Sequence, residues 1–144
     1  MLTEESKAEL INIAKKYYPS NDPSHDWGHV QRVLKNAMYI AKNDKDCDTD
    51  ILFAAVLFHD CINPPKHTPE ASLASENSAK EAKKILNKIK ILSKEKISQI
   101  SYCISVCSFN KDIRPTTKEA QILQDSDMLE AVGAIAIMRT FCST

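Results

Sequence analysis

Eight consecutive residues, Ile51-Leu-Phe-Ala-Ala-Val-Leu-Phe58, are apolar, and the next two are His59 and Asp60. A run with no polar face has no side to turn to water, so the rest of the chain must enclose it. Periodicity alone leaves strand and helix both open. The cap-forming Asp48-Thr49-Asp50 ahead of it and the Asn63-Pro64-Pro65 stop behind it favour a short helix buried all round. Asp60 is then hard to explain as solvated surface. Burying an unpaired carboxylate is expensive, so it needs a metal, a cation or strong donors.

The remaining pattern is helical as well. Residues 4–18 read as an amphipathic helix behind Thr3, a natural N-cap, and Pro19 ends it. Ser24 is expected to cap a second helix running to about Asn43, with Val30, Val33, Leu34, Ala37, Ile40 and Ala41 at helical spacing. Residues 70–90 are rich in Ala, Glu and Lys, and Ser93–Phe109 form another apolar-periodic segment. After a loop at 110–115, a last helical stretch runs from Thr117 to about Phe141. Only Gly28 and Gly133 are glycines, which rules out glycine-rich phosphate loops and implies few tight turns. There is no internal repeat, low-complexity tract or long linker. The expectation is therefore an all-α fold: one domain over residues 1–144, a bundle of about six helices, with its motifs within 24–141.

Charge and cysteine usage exclude several function classes. The 19 Lys+Arg balance 19 Asp+Glu, which argues against stable nucleic-acid binding. No apolar run reaches the ~18 residues of a membrane span, and the acidic start is the reverse of a signal peptide's. Five cysteines, an odd number without an export signal, point to a reducing cytoplasm. Cys103 and Cys107, four apart on one expected helix face, lack the C-x2-C hook of zinc sites and read as buried, inert thiols.

Three islands carry chemistry. His25 and His29 stand at i, i+4, which on a helix places their imidazoles on one face, with Arg32 one turn beyond His29. His59 and Asp60 close the apolar helix; adjacent residues diverge by about 100°, yet both can converge on an ion placed off-axis. The third island is Asp125-Ser-Asp127-Met-Leu-Glu130. Positions two apart on a helix point nearly opposite ways, so Asp127 faces inward with Ala131, Ala134 and Met138. Asp125 is then an N-cap or a partner orienting an imidazole. His67 reads as surface, and Trp27, the sole tryptophan, as packing the second helix onto the core rather than stacking on a base.

The order His29, His59-Asp60, Asp127 resembles the HD-domain superfamily of metal-dependent phosphohydrolases. The likeness extends over residues 20–141 through Ser-His-Asp-x-x-His-Val-x-Arg-Val, Leu-Phe-His-Asp-Cys-Ile-Asn-Pro-Pro-Lys, Glu-Ala-x-Ile-Leu-Gln-Asp-Ser-Asp-Met-Leu-Glu-Ala-Val-Gly-Ala-Ile and Arg-Thr-Phe. These motifs look like a bacterial subgroup of small HD hydrolases. The resemblance implies a metal held by His29, His59, Asp60 and Asp127. The pair His25/His29 is also similar to the first His-Asn-x-x-His of cyclic nucleotide phosphodiesterases, whose earlier histidine protonates the leaving oxygen; this implies His25 as general acid. Two features depart from the subgroup. Cys107-Ser108-Phe109 stands where His-Ser-Phe is common, and relatives continue well past the Arg-Thr-Phe motif, so part of their pocket wall is expected to be missing.

Two imidazoles and two carboxylates form a mixed N/O donor set suited to Mn²⁺, Fe²⁺, Co²⁺ or Ni²⁺, ahead of Mg²⁺ or Zn²⁺. The expected function is hydrolysis of a phosphate ester or nucleotide by metal-activated water attacking phosphorus. Asp60 would also accept the water's proton, His25 would donate to the leaving group, and Arg32 and Lys66 would bind phosphate oxygens. A solvated salt bridge for Arg32 and a plain loop charge for Lys66 are the competing readings. The alternative function is a non-catalytic module that binds metal and nucleotide. The expected partner is a small phosphorylated or nucleotide substrate, without membrane, and a homodimer is admissible.

Overall fold

The computed structural model describes residues 1–19, 25–65, 67–108 and 112–130. They form six α-helices in the order α1 (Glu4–Lys15), α2 (Trp27–Ala41), α3 (Thr49–Phe58), α4 (Ala74–Ile89), α5 (Lys94–Ser105) and α6 (Lys118–Leu129). A 3₁₀ turn at Pro69–Leu73 leads into α4. No strand occurs among the described residues, so the all-α expectation holds.

The apolar run is α3, and every residue from Asp50 to Phe58 is buried. It touches each of the other five helices, so the bundle is built around it. Its start is fixed electrostatically. Asp48 caps it by accepting from the amides of Asp50 and Ile51 at 3.0 and 3.3 Å. Asp50 is buried too, and there it accepts from the Leu2 amide at 2.9 Å and from Lys96 Nζ at 3.1 Å. Glu119, at the start of α6, accepts from the Asp48 amide at 2.7 Å. The α1 and α6 starts and α5 are thus tied to one end of α3, leaving the other end to present His59 and Asp60.

Local chemistry corrects several expected boundaries. The second helix begins at Trp27, not behind Ser24, because Asp26 is its N-cap and accepts from the His29 amide at 2.9 Å. A carboxylate at the positive end of the helix dipole is a strong cap. His25 therefore precedes the helix and does not share a helical face with His29; Ser24 lies outside the described residues. The helix ends at Ala41, two residues short of Asn43. The first helix ends at Lys15 rather than residue 18. The amides of Lys16, Tyr17 and Tyr18 bond three residues back, which tightens the last turn ahead of Pro19. The fifth helix starts behind Ser93 as expected but stops at Ser105, so Cys107 does not share a helical face with Cys103. The last helix is capped by Thr117 and ends at Leu129 with Glu130 as C-cap; the remainder of the stretch expected to reach Phe141 lies outside the described residues.

Cys47, Cys61, Cys103 and Cys107 are free. Burial pushes the thiols of Cys61 and Cys103 up to about 12, so they stay protonated and inert at neutral pH. Trp27 lies half-buried with its ring 6.0 Å from that of Tyr18 and Lys15 Nζ 5.7 Å from its own centre, in keeping with a packing role.

The enclosure of α3 sets a stability prediction. Leu57 is fully buried, so Leu57→Ala should destabilise the protein by about 2–5 kcal/mol in urea unfolding. Tyr39→Ala, at a side chain 72% exposed, should stay within about 0.5 kcal/mol of the parent. Equal effects would show that α3 is not the element that carries the core.

Candidate metal centre

Three helix ends meet at one point. His59 follows the last residue of α3 and Asp60 comes next; His29 lies in the first turn of α2; Asp127 lies in the last turn of α6. His29 Nε2 is 3.0 Å from Asp127 Oδ1 and 3.4 Å from Asp60 Oδ2. His59 Nε2 is 3.4 Å from Asp60 Oδ2 and 3.6 Å from Asp127 Oδ1. One candidate ligand atom each from His29, His59 and Asp127 forms a group within 4.8 Å. Asp60 stands beside that group and turns the same Oδ2 toward His25 Nδ1, 3.1 Å away.

The imidazoles are set up as ligands rather than as hydrogen-bond donors to the carboxylates. Both side chains are fully buried, yet neither Nε2 makes a hydrogen bond of acceptable direction among the described residues. Orphaned buried polar atoms are rare and call for an explanation. His59 Nδ1 lies 2.7 Å from the Val56 carbonyl. A carbonyl can only accept, so the proton is on Nδ1 and the lone pair of a neutral ring is on Nε2. Ligands about 2.1 Å from a common octahedral ion stand about 3 Å apart in adjacent positions. The observed N···O separations of 3.0–3.6 Å fit that requirement. The donor set therefore fits a divalent ion.

Electrostatics agree. Burial is the largest influence on His59 and pulls its pKa down, but the Asp60 and Asp127 carboxylates more than reverse this and hold it at about 9. His29 follows the same balance and is also raised. Burial would raise Asp60 and Asp127, but the imidazoles keep both well below the ordinary carboxylate range. Without an ion the cluster is self-neutralised by protons on its imidazoles, and a cation must displace them.

Comparison with known proteins fits this arrangement. The HD-domain profile matches residues 26–132. The chain belongs to the HD-domain family. Within the family it is 31% identical to YpgQ of Bacillus subtilis strain 168, itself uncharacterised, over 145 residues, covering 97% of this chain and 67% of that protein. A crystal structure from Lactobacillus plantarum superimposes with a TM-score of 0.78 at 26% identity, over 99% of this chain and 64% of that one. A predicted HD superfamily hydrolase from an uncultured Thermotogales bacterium gives 0.71 at 33% identity, over 93% and 73%. YpgQ of B. subtilis in complex with ADP gives 0.62 at 26% identity, over 94% and 65%. The chain thus spans about two thirds of the length of these relatives.

In this HD domain, the residues expected from sequence fall into three groups. His25, His29, His59, Asp60 and Asp127 are brought together, although His25 arrives from the segment before α2. Arg32 points elsewhere: its Nε pairs with Glu130 Oε1 at 2.5 Å, and its Nη1 lies over Gly28, where a β-carbon would approach it to 3.1 Å. Asp125 is exposed in the middle of α6, so it neither caps a helix nor reaches an imidazole. His67 is exposed, and Lys66 lies outside the described residues. Sequence reasoning missed Glu130. Its carboxylate, 3.6 Å from His29 Nδ1, occupies the position expected for Asp125. The available signal was spacing, because Glu130 is three residues after Asp127 and so on the same helical face.

Because ligation needs neutral imidazoles, ion uptake should release protons. Mn²⁺ titrations at pH 7.5 in buffers of differing ionisation enthalpy should show about one to two protons released per ion, His59 being the main source. Affinity should climb with pH and level off above about 9. The metal-free protein should behave oppositely. A pKa raised from 6.5 to about 9 in the fold gives stability that is full below 6.5 and lost as pH rises through 9. Uptake without proton release would contradict this charge arrangement.

Proposed function

We propose that the protein is a metal-dependent hydrolase of a phosphate ester or nucleotide, with His29, His59, Asp60 and Asp127 as metal ligands. The reading is carried by two buried Nε2 atoms without hydrogen bonds, each within 3.6 Å of the Asp60 and Asp127 carboxylates. Mn²⁺, Fe²⁺, Co²⁺ or Ni²⁺ suits two nitrogens and two oxygens better than Mg²⁺ or Zn²⁺. A bound divalent ion would supply a water of lowered pKa and neutralise charge on the phosphoryl oxygens.

The chain's own groups then divide the proton work. Asp60 accepts the proton of the water that attacks phosphorus. His25, a quarter exposed, donates a proton to the departing oxygen as the phosphorus–oxygen bond breaks. Their 3.1 Å contact lets the proton gained by Asp60 return to His25 for the next cycle. Arg32, which rests on Glu130 and Gly28, reaches a phosphate oxygen by swinging its Nη groups toward the cluster, and Lys66 supplies a second cation. The ADP complex of the B. subtilis relative supports a nucleoside polyphosphate among the candidate substrates. The free thiols support a reducing cytoplasmic setting, and no described helix is long and apolar enough to cross a membrane.

A non-catalytic nucleotide-binding module is the second reading. It is favoured by Cys107, buried within electrostatic reach of Asp60 and Asp127, in place of the subgroup's histidine. Turnover separates the two. Purified without an affinity tag, the protein should carry about one metal ion or more per chain and release phosphate from part of a panel of phosphomonoesters and nucleotides. Asp127→Ala should lose both metal and turnover with its helices intact. His25→Ala should keep the metal and lose about 10²–10⁴-fold in kcat. Ligand-dependent thermal stabilisation without any product would favour the binding module, and full activity of Asp127→Ala would refute the ligand assignment.

A further inference from the structure

We propose that Tyr18 is a positioning residue for the metal centre, its hydroxyl ending α3 in the geometry that aims His59 Nε2 and Asp60 at a shared ion. This rests on the metal-site reading above. Tyr18 follows the tightened last turn of α1 and is buried against α3. Its hydroxyl donates to the Leu57 carbonyl at 2.6 Å and accepts from the Asp60 amide at 3.3 Å. One hydroxyl thus joins the residues on either side of Phe58 and His59.

The consequence follows from what a continuing helix would do. The Asp60 amide would donate to the Val56 carbonyl, and the Cys61 amide to that of Leu57. Instead the Asp60 amide goes to Tyr18, and the Cys61 amide turns back to Phe58 at 3.2 Å. Leu57 would be left with an orphan carbonyl in the core; Tyr18 satisfies it. The Val56 carbonyl keeps a longer 3.4 Å bond from the His59 amide, and its remaining acceptor capacity is used by His59 Nδ1 at 2.7 Å, which holds a proton on the side of the ring away from the cluster. The phenol oxygen bonds none of the ligating side-chain atoms. It acts through the backbone that carries them.

Tyr18→Phe removes that oxygen and keeps the ring. The variant should bind Mn²⁺ about 10–100-fold more weakly by calorimetry, the scale on which supporting contacts of metal ligands act. Its Co²⁺ form should also show a shifted visible spectrum. Tyr17→Phe is the control. The Tyr17 hydroxyl bonds Glu81 at 3.4 Å, and its loss should leave both readouts unchanged. A purely structural role would lower the unfolding midpoint of Tyr18→Phe while the folded protein kept parental affinity and spectrum, and that result would overturn the proposal. The parent protein gives a reading that does not depend on the variant's folding. Nitrogen-15 spectra should show a proton on His59 Nδ1 with and without Zn²⁺, and the Asp60 amide should exchange slowly in both. A His59 Nδ1 without a proton in either form, or an unprotected Asp60 amide, would also overturn it. A parent protein that takes up no Mn²⁺, Co²⁺ or Zn²⁺ would instead sink the metal reading, with the metal-free spectra still reporting on the corner.

Discussion

The mutual neutralisation of two buried imidazoles by two carboxylates is the interaction on which the site depends. Alone at that depth, either kind of charge would face a desolvation penalty of several kcal/mol. At separations of 3.0–3.6 Å each charge becomes the other's solvent. The imidazoles are raised and the carboxylates lowered despite burial, which shows that attraction exceeds desolvation here. The same balance prepares the site for a cation, since replacing imidazole protons by a divalent ion leaves the carboxylates compensated.

Around this cluster the fold separates two tasks along α3. Its first turn is held by a ring of polar contacts: Asp48 with Glu119, and Asp50 with Leu2 and Lys96. Its middle is hydrocarbon on every side. Its last turn is unravelled under control, with Leu57 and Val56 carbonyls taken by side chains. After the corner, Ser78 takes over: its hydroxyl accepts from the Ile62 amide and donates to the Ile62 carbonyl, both at 3.0 Å. Asp60 and Cys61 are therefore held between a tyrosine that follows α1 and a serine of α4. A short helix that could otherwise fray at its functional end is fixed there by its neighbours.

Much of this was legible before any coordinates. The run Ile51–Phe58, with cap signals in Asp48-Thr49-Asp50 ahead of it, favoured a short helix buried all round, and Asp60 drew attention because a carboxylate had no business following eight apolar residues. Local capping was less transparent. Ser24 and Asp26 are both good caps two residues apart, and only the stronger partner for the His29 amide decides between them. That choice moved His25 off the helix, so its approach to Asp60 comes from chain tracing rather than from i, i+4 spacing. Asp125 and Glu130 were exchanged for a related reason. Acidic residues on one helix differ in role only through what faces them, and Arg32 and His29 face Glu130. Tyr18 was invisible because its function lies in diverting a backbone amide, and no sequence spacing reports which carbonyl an amide has abandoned.

Access completes the division of labour. His29 and His59 have no exposed side-chain surface, whereas Asp127 is 32% exposed, His25 25% and Asp60 22%. From solvent the carboxylates and His25 are therefore reached first, with the two imidazoles behind them. The groups that only hold are closed to water; the groups proposed to move protons are open to it. Glu130 extends the closed side, because its carboxylate lies beneath His29 and its charge is met by Arg32 rather than by solvent. Arg32 completes that side: its Nε supports Glu130 and its Nη1 packs over Gly28 at the start of α2.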